Sequence, residues 1–269
     1  MILASPSPLS VALGIATAAA YGVAAAAATR LGRQGTQGLF ALAWVLHALT
    51  LGTGLLGREA RFGWAPALSV TAWLVLTVYA VESRLFPQLT VRRVLAVLGA
   101  AAVLLAVVFP GVPLHVSASP WLPLHLALGI ASYGLFAAAV VHAWLMRRAE
   151  KQMRLAAEPQ TGVPLLTLER LTFRFVTAGF VLLSATLAAG LLFSEQLYGP
   201  SVRGWKWDHK TVFSVLAWMA FAVLLVGRAR FGWRGRSALR VLYVGAGLLL
   251  LAYVGSRFVL EVILGRAVA

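Results

Sequence analysis

The side chains best suited to hold a metal ion or a prosthetic group in this sequence are its histidines, because the 269 residues include no cysteine. The lack of cysteine excludes disulfides, thiolate metal sites and covalent attachment of a cofactor through sulfur. The five histidines are His47, His115, His125, His142 and His209. No two of them are three or four residues apart, so one helix cannot supply a pair of ligands. A site with two imidazoles must therefore draw them from different elements of the chain.

A short segment between residues 198 and 211 concentrates aromatic, charged and imidazole groups. Its chemically distinctive members are Arg203, Trp205, Lys206, Trp207, Asp208, His209 and Lys210. The alternating tryptophans could form a flat apolar platform, and the three cations could pair with carboxylates above it. Such a surface suits a large flat ligand with carboxylate tails and axial imidazoles, for which haem is the obvious candidate. The alternative is a belt of aromatic side chains and snorkelling cations at a membrane interface.

The composition indicates that membrane helices position these residues. The chain is 61% hydrophobic and 12% charged, with a mean hydropathy of +0.86, whereas soluble domains are roughly half apolar and about a quarter charged. This balance excludes a soluble enzyme, a coiled coil and a disordered chain. Because backbone groups in lipid must be satisfied within each segment, apolar stretches of about 20 residues are predicted to be helices.

Eight apolar segments predict an all-α fold, a polytopic membrane helix bundle with eight transmembrane helices in a single domain over residues 1–269. The segments are predicted near residues 8–29, 37–57, 64–84, 92–110, 121–147, 170–195, 209–228 and 238–263. The fifth loop, near 148–168, is the longest. The residues before the first segment hold no basic cluster, so we expect a span there and not a cleaved signal.

The basic residues indicate how the helices are oriented. A net charge of +15 would suggest a nucleic-acid partner in a soluble protein, but here the Lys and Arg residues cluster in short loops. The odd-numbered loops carry most of them, and the positive-inside rule places those loops in the cytoplasm. We therefore expect both termini on the periplasmic or extracellular side, a lipid bilayer around the helices and no nucleic-acid partner.

Two histidines are predicted to lie within the membrane. At about 1.5 Å per residue, His47 lies roughly 15 Å along the second helix, and His125 lies about 6 Å below the outer surface in the fifth. A polar group at such depth is a functional hypothesis by default, and the alternative for His47 is a hydrogen bond to Ser or Thr of a neighbouring helix. His142, near the inner end of the fifth helix, and His115, in an external loop, are interpreted as ordinary interface and loop residues. Asp208 precedes an apolar run and is expected to cap the seventh helix.

The acidic residues and the motifs argue against several other functions. Glu59, Glu82, Glu195 and Glu261 all lie near the ends of spans. Without a pair of carboxylates inside the membrane, the sequence does not favour a proton pump or an ion-driven transporter. It also has no Walker loop and no GxSxG hydrolase motif. The residues favour a binding or transfer protein over an enzyme.

The Trp-rich segment and the helices around it resemble a known family. Gly204-Trp205-Lys206-Trp207-Asp208 resembles a shortened form of the external Trp-rich motif of the haem-handling membrane proteins of cytochrome c assembly, the CcsA/CcmC type. The last third is more similar to the YpjD/HemX-like branch of that superfamily. This second likeness is carried by residues 124–125, 131–133, 164–166, 168–170, 232–236 and 251–257, with Lys210, Ser214, Ala217 and Trp218. It covers helices 5 to 8 well, and helix 2 around His47 more loosely.

The resemblance implies a protein of the bacterial inner membrane that binds or handles haem, which without cysteine would be held non-covalently as b-type haem. Carried over by position, His47 and His125 are the candidate axial ligands of the haem iron. Trp205, Trp207 and Asp208 would form the platform of the site.

The resemblance also implies roles for charged residues near the outer face. Arg203 or Arg257 would pair with a haem propionate, and for Arg257 the alternatives are snorkelling or pairing with Glu261. His209 and Thr211 stand where the family has Pro and Glu, so His209 could substitute as an external ligand. Because no histidine follows His209, haem binding or a regulatory role fits better than presentation of haem to an apocytochrome.

A second hypothesis is a haem-free membrane scaffold or regulator, for example of tetrapyrrole synthesis, that acts through its basic cytoplasmic loops. Its partner would be a cytochrome assembly protein or a protein of the tetrapyrrole pathway.

In the seventh loop Gly232 and Gly235 flank Trp233 and Arg234, which predicts a tight turn with cations facing lipid phosphates. A small-molecule transporter is a third alternative, but the sequence lacks the paired Gly/Pro breaks that would favour it.

Overall fold

The computed structural model describes residues 7–27, 30, 32–56, 61–85, 91–113, 121–155, 164–194, 207–255, 258, 259 and 263. These residues form eight long helices: α1 Pro8–Ala27, α2 Arg33–Leu56, α3 Trp64–Leu85, α4 Arg92–Val108, α5 Leu122–Arg154, α6 Leu165–Leu192, α7 His209–Phe231 and α8 Gly235–Leu250, which continues into the π-helical turn Leu251–Gly255. Two short strands, β1 Arg61–Phe62 and β2 Val112–Pro113, pair antiparallel. The all-α class is confirmed, with one described helix for each predicted segment.

The helices have the length and composition of membrane spans. Seven of those described are long and apolar enough to cross a membrane. The remaining helix, α4, has 17 residues and is therefore about 25 Å long, against a hydrocarbon thickness of about 30 Å. The chain is thus a multi-pass membrane protein, while the eighth crossing and the location of the termini stay predictions.

The predicted fifth loop was wrong at both ends. α5 continues to Arg154, and α6 begins at Leu165 immediately after Pro164, so residues 148–154 and 165–168 are helical. Residues 148–154 are mostly strong helix formers, and Glu150 pairs with Arg154 one turn later at 3.7 Å. A drop in hydropathy marks the end of the apolar stretch, whereas the helix ends only where its backbone hydrogen bonding ends.

The starts of the other described helices lie within four residues of the prediction, whereas the regular part of the last helix ends well before the predicted residue 263. α2 begins at Arg33, four residues before the predicted 37. α8 begins at Gly235, and its regular α-helical part ends at Leu250, where the π-helical turn takes over. The described helices separate into two compact units, α1–α4 and α5–α8. The single membrane domain stays a prediction.

Unit one is a ring of four helices held close by glycine. α1 and α3 each pack against both α2 and α4. A Cβ atom on Gly14 of α1 would overlap the Val107 side chain of α4. A Cβ atom on Gly99 of α4 would lie 2.9 Å from Leu76 and 3.3 Å from the Tyr21 ring. Small residues let helices approach closely in lipid, and here they set the spacing around α4.

The four helices of unit two also form a ring. α5 packs against α6 and α8, and α7 packs against the same two helices. At its centre Phe136 of α5 stacks on Phe221 of α7, with ring centroids 3.7 Å apart and planes 8° apart. Gly179 of α6 backs Phe136, and Gly245 of α8 backs Phe221, because a Cβ atom at either glycine would come within 3.2 Å of the ring. Each helix therefore contributes one residue to this layer.

The turn between α7 and α8 is as tight as predicted. Gly232 ends α7 in the left-handed region at φ 63°, and the Trp233 backbone N–H donates to the Gly227 carbonyl at 3.1 Å. The Trp233 ring lies on Gly227, where a Cβ atom would overlap it. Gly235 then starts α8, also at positive φ. A left-handed glycine is the usual way to satisfy the last carbonyls of a helix.

Candidate functional site

His47 is the centre of a buried hydrogen-bonded cluster in unit one. Its side chain on α2 has no exposed surface. Its Nδ1 lies 3.2 Å from the Tyr21 hydroxyl on α1, and its Nε2 lies 2.9 Å from the Ser69 Oγ on α3. A neutral imidazole donates at one nitrogen and accepts at the other, so both contacts are satisfied in either tautomer. The hydrogen bond to a neighbouring serine is confirmed, whereas the ligand role of His47 stays a prediction.

A second polar contact joins α1 and α2 beside this cluster. The Thr17 and Thr50 hydroxyls are 2.8 Å apart. The prediction for His47 was a Ser or Thr of a neighbouring helix, and it identified neither Ser69 nor Tyr21 in particular. Thr17 and Tyr21 are four residues apart, and His47 and Thr50 are three apart, so each helix carries two polar groups on one face.

A cavity of about 340 Å³ lies in unit one, at the end where α1 and α3 begin and α2 and α4 end. Thr50 and Ser69 line it, as does Arg61 of the short ribbon. Its volume falls at the lower end of the range of about 300–1,000 Å³ for small-molecule sites. Ser69 both lines the cavity and contacts His47, so a single residue separates the cavity from the imidazole.

His125 lies in the first turn of α5, in unit two. Its ring packs beside Gly190 of α6, where a Cβ atom would be 3.6 Å from the His125 Cε1. The Lys210 ammonium acts on it electrostatically and lies 5.7 Å from the centroid of the Tyr253 ring. An imidazole, a cation and an aromatic face thus occupy the same end of unit two.

The Trp-rich segment is described only in its last residues. Asp208 caps α7 as predicted, because its Oδ1 accepts the Thr211 backbone N–H at 2.7 Å. His209 is exposed, and Trp207 is 72% exposed. The predicted site residues Arg203, Trp205 and Arg257 lie outside the described residues, as do His115 and Glu261. The platform formed by Trp205, Trp207 and Asp208 therefore stays a prediction.

His142 is more deeply buried than its interpretation as an interface residue implied. It is 3% exposed on α5, its Nδ1–H donates to the Ala138 carbonyl at 2.7 Å, and its ring lies 5.2 Å from that of Phe175. The reason is that α6 covers this face of α5.

Glu169 forms an ionic cluster at the opposite end of unit two from His125. Its carboxylate accepts a hydrogen bond from Arg228 of α7 and lies 3.3 Å from the Arg234 Nε in the following turn. Arg228 also stacks over Phe173, 4.1 Å from the ring centroid. This cluster ties the start of α6 to the end of α7. Within the described ranges no group of three or more His, Asp or Glu side chains could hold a metal ion.

The family model of the cytochrome C assembly protein matches residues 36–264 of this chain. The match covers the six helices α3 to α8 and most of α2, so the chain belongs to the cytochrome c assembly protein family. The resemblance drawn from the Trp-rich segment and the last four helices is thereby confirmed.

Curated relatives agree with this assignment. The chain is 34% identical over 151 residues to "Inner membrane protein YpjD" of Escherichia coli K12, covering 55% of this chain and 56% of that protein. It is 35% identical over 148 residues to an "Uncharacterized 28.8 kDa protein in nifR3-like 5'region" of Azospirillum brasilense, covering 54% of each. It is 30% identical over 91 residues to "Cytochrome c biogenesis protein CcsA" of Prochlorococcus marinus, covering 34% of this chain and 28% of that protein.

The matched region thus spans about half the length of the first two relatives. No solved structure is significantly similar to the chain.

Proposed function

We propose that this protein binds or handles haem in the bacterial inner membrane. Membership of the cytochrome c assembly family over residues 36–264 supports haem as the ligand. The name of the YpjD relative supports the inner membrane as the location. The observation that carries the proposal is the His47 imidazole, which is fully buried and joined through Ser69 to a cavity. Bound haem would supply an iron that imidazoles can ligate.

The surroundings of His47 suit an axial ligand, provided that Ser69 turns away. Metal-bound histidines usually hold their other nitrogen in a hydrogen bond that fixes the ring. At His47 the Tyr21 hydroxyl can hold Nδ1 in this way. Ser69 occupies the Nε2 side, so release of its hydroxyl would expose Nε2 toward the cavity. Tyr21 would then act as a positioning residue for the imidazole.

His125 is the second proposed axial ligand. Its ring packs beside Gly190 of α6, and the Lys210 ammonium acts on it electrostatically, so a carboxylate of a ligand at this end of unit two would meet a cation. We retain Arg203 and Arg257 as propionate partners and His209 as an external ligand. Trp205, Trp207 and Asp208 remain the proposed platform.

Two measurements test this proposal: an absorption spectrum and a pyridine haemochrome assay. Both use the detergent-purified protein from cells supplied with a haem precursor. We expect a Soret band with near-stoichiometric b-type haem. His47→Ala and His125→Ala should each weaken or remove the band. His142→Ala is the matched control, because His142 is an equally buried histidine with no assigned role, and it should keep the band. A folded protein that takes up no haem even on titration would refute the proposal.

The haem-free scaffold or regulator is the competing proposal. It is favoured by the exposed cations around the α7–α8 turn, among them Arg230, Arg236 and Arg240. This surface could bind a partner from the cytochrome assembly or tetrapyrrole pathway. If no haem binds, crosslinking from single cysteines in this turn should capture one defined partner, and removal of the three charges should abolish the crosslink.

We also propose eight crossings with both termini outside. The chain has no cysteine, so single cysteines can be labelled with an impermeant reagent in spheroplasts. Val108→Cys at the end of α4 should be labelled from outside, and Arg230→Cys after α7 should not. Labelling of both, or of Arg230→Cys alone, would contradict this topology.

A further inference from the structure

Three arginines and a tyrosine meet where α5 packs against α8 in unit two. The Arg147 guanidinium of α5 donates a hydrogen bond to the Tyr243 hydroxyl of α8. Arg236 and Arg240 precede Tyr243 by seven and three residues, so these side chains share one face of α8. All three arginines are exposed. We call Arg147, Arg236 and Arg240 the α5–α8 arginine cluster.

The neighbouring residues show that the α5–α8 side chains face away from the core. Met146 of α5 and Leu239 and Leu242 of α8 line a small cavity inside unit two, and each is at most 6% exposed. The residues that directly follow these three are Arg147, Arg240 and Tyr243. Successive side chains on a helix point about 100° apart, so the residue after a core position turns toward the outer surface.

The acidic side chains that the structure describes in unit two are engaged elsewhere. Glu150 pairs with Arg154, Glu169 pairs with Arg228, and Asp208 caps α7. None of these carboxylates neutralises the α5–α8 arginine cluster. Two of its arginines are one turn apart on α8, and like charges at this spacing repel each other. A bound anion would therefore stabilise the cluster.

Apolar surface adjoins the cluster on both helices. Val244 directly follows Tyr243 and is 59% exposed, and Trp144 lies one turn before Arg147 and is 38% exposed. A guest that satisfies both surfaces has an anionic head and apolar chains. Guanidinium groups match the oxygens of a phosphate in a bidentate arrangement, and basic pockets between membrane helices bind anionic lipid headgroups.

We propose that the α5–α8 arginine cluster binds an anionic phospholipid, with its phosphate at Arg147 and Arg240 and its acyl chains along Trp144 and Val244. Tyr243 positions the Arg147 guanidinium. A lipid fits better than a protein partner because both arginines lie within the candidate spans of α5 and α8. The site is formed by unit two alone and requires no haem ligand.

Lipid binding to the full-length protein, purified in detergent and stripped of bound lipid, tests the proposal. Native mass spectrometry counts the bound molecules of dioleoyl phosphatidylglycerol, and dioleoyl phosphatidylcholine is the neutral control with the same acyl chains. The anionic lipid should bind about tenfold more tightly, as expected for one charge-assisted hydrogen bond. Glycerol 3-phosphate carries the phosphate without acyl chains and should not displace it. Equal affinities for the two lipids, or displacement by glycerol 3-phosphate at the same concentration, would overturn the proposal.

Variants of single residues locate the site. Arg147→Gln and Arg240→Gln should each weaken binding of phosphatidylglycerol about tenfold, whereas Arg240→Lys should weaken it less. Arg230→Gln is the matched control, because it removes an exposed cation at the end of α7 and outside the cluster, and it should leave the affinity unchanged. Tyr243→Phe should lower the affinity for phosphatidylglycerol without changing that for phosphatidylcholine, which a general packing defect would not do.

Two results with these variants would also refute the lipid site. If Arg230→Gln weakens binding as much as Arg240→Gln does, the lipid responds to overall charge and not to the cluster. If Arg147→Gln abolishes a crosslink to a protein but leaves lipid affinity unchanged, a protein partner occupies this face. Circular dichroism checks that each variant is folded, and if one glutamine variant does not fold, the other carries the test.

Discussion

The buried cluster around His47 makes a quantitative prediction about stability. Tyr21→Phe removes the partner of Nδ1, and Ser69→Ala removes the partner of Nε2. Hydrogen bonds between membrane helices average about 0.6 kcal/mol and reach about 1.7, and a buried polar atom left without a partner costs about 1–3 kcal/mol. We expect each substitution to lower the free energy of unfolding by about 1–2 kcal/mol.

A double-mutant cycle separates this contribution from general packing effects. In a His47→Leu background the imidazole is absent, so Tyr21→Phe and Ser69→Ala should each cost less than about 0.5 kcal/mol. The difference between the two backgrounds, about 1 kcal/mol, is the coupling energy that the structure predicts for each pair.

Reversible unfolding in mixed micelles measures these free energies of unfolding. The mole fraction of sodium dodecyl sulfate is increased stepwise, and circular dichroism reports the loss of helix. Thr71→Val is the control, because the Thr71 hydroxyl donates to the Ala67 carbonyl of its own helix. It should change stability by no more than about 0.5 kcal/mol. If Tyr21→Phe and Ser69→Ala cost the same with and without His47, the assignment of these hydrogen bonds is wrong.

Three further substitutions test other parts of the fold by the same unfolding assay. Gly99→Val should cost about 1–3 kcal/mol by overpacking against Leu76, and a neutral result would show that α4 packs more loosely than described. Glu169→Gln should lower the free energy of unfolding by about 2 kcal/mol, since it weakens a charge-assisted bond to Arg228. If stability is unchanged at low salt, the ionic cluster does not hold α6 to α7. Asp208→Ala should cost about 1 kcal/mol through the lost cap, whereas Asp208→Asn should restore most of it.

Hydropathy predicted the helices well because lipid imposes a strong and local requirement on each segment. Every predicted segment contains a described helix, and the cap at Asp208 and the turn at Gly232 followed from local chemistry. The ends of α5 and α6 could not be predicted in the same way. Residues 148–154 are mostly polar, so a count of apolar residues stops before them, although the helix continues to Arg154.

The need of His47 for a buried hydrogen bond was predictable, and its partners were only partly so. Its position on α2 indicated a buried imidazole that needs a hydrogen bond, and Ser69 supplies one. The involvement of Tyr21 depends on how α1 packs against α2, which a single sequence does not specify. The ionic cluster at Glu169 was missed for the same reason, since its partner Arg228 lies 59 positions further along the chain.

The pairing of β1 with β2 bears on how α4 fits the bilayer. α4 has 17 residues and is the one long helix among those described that is not a candidate membrane span. A short helix normally adapts to a thick membrane by shifting along the normal or by thinning the lipid around it. The ribbon joins the segment just before α3 to the segment just after α4 through backbone bonds, so α4 cannot slide without moving α3. We therefore expect the lipid to absorb the hydrophobic mismatch, which would make the bilayer thinnest beside α4 and would make unit one sensitive to acyl-chain length.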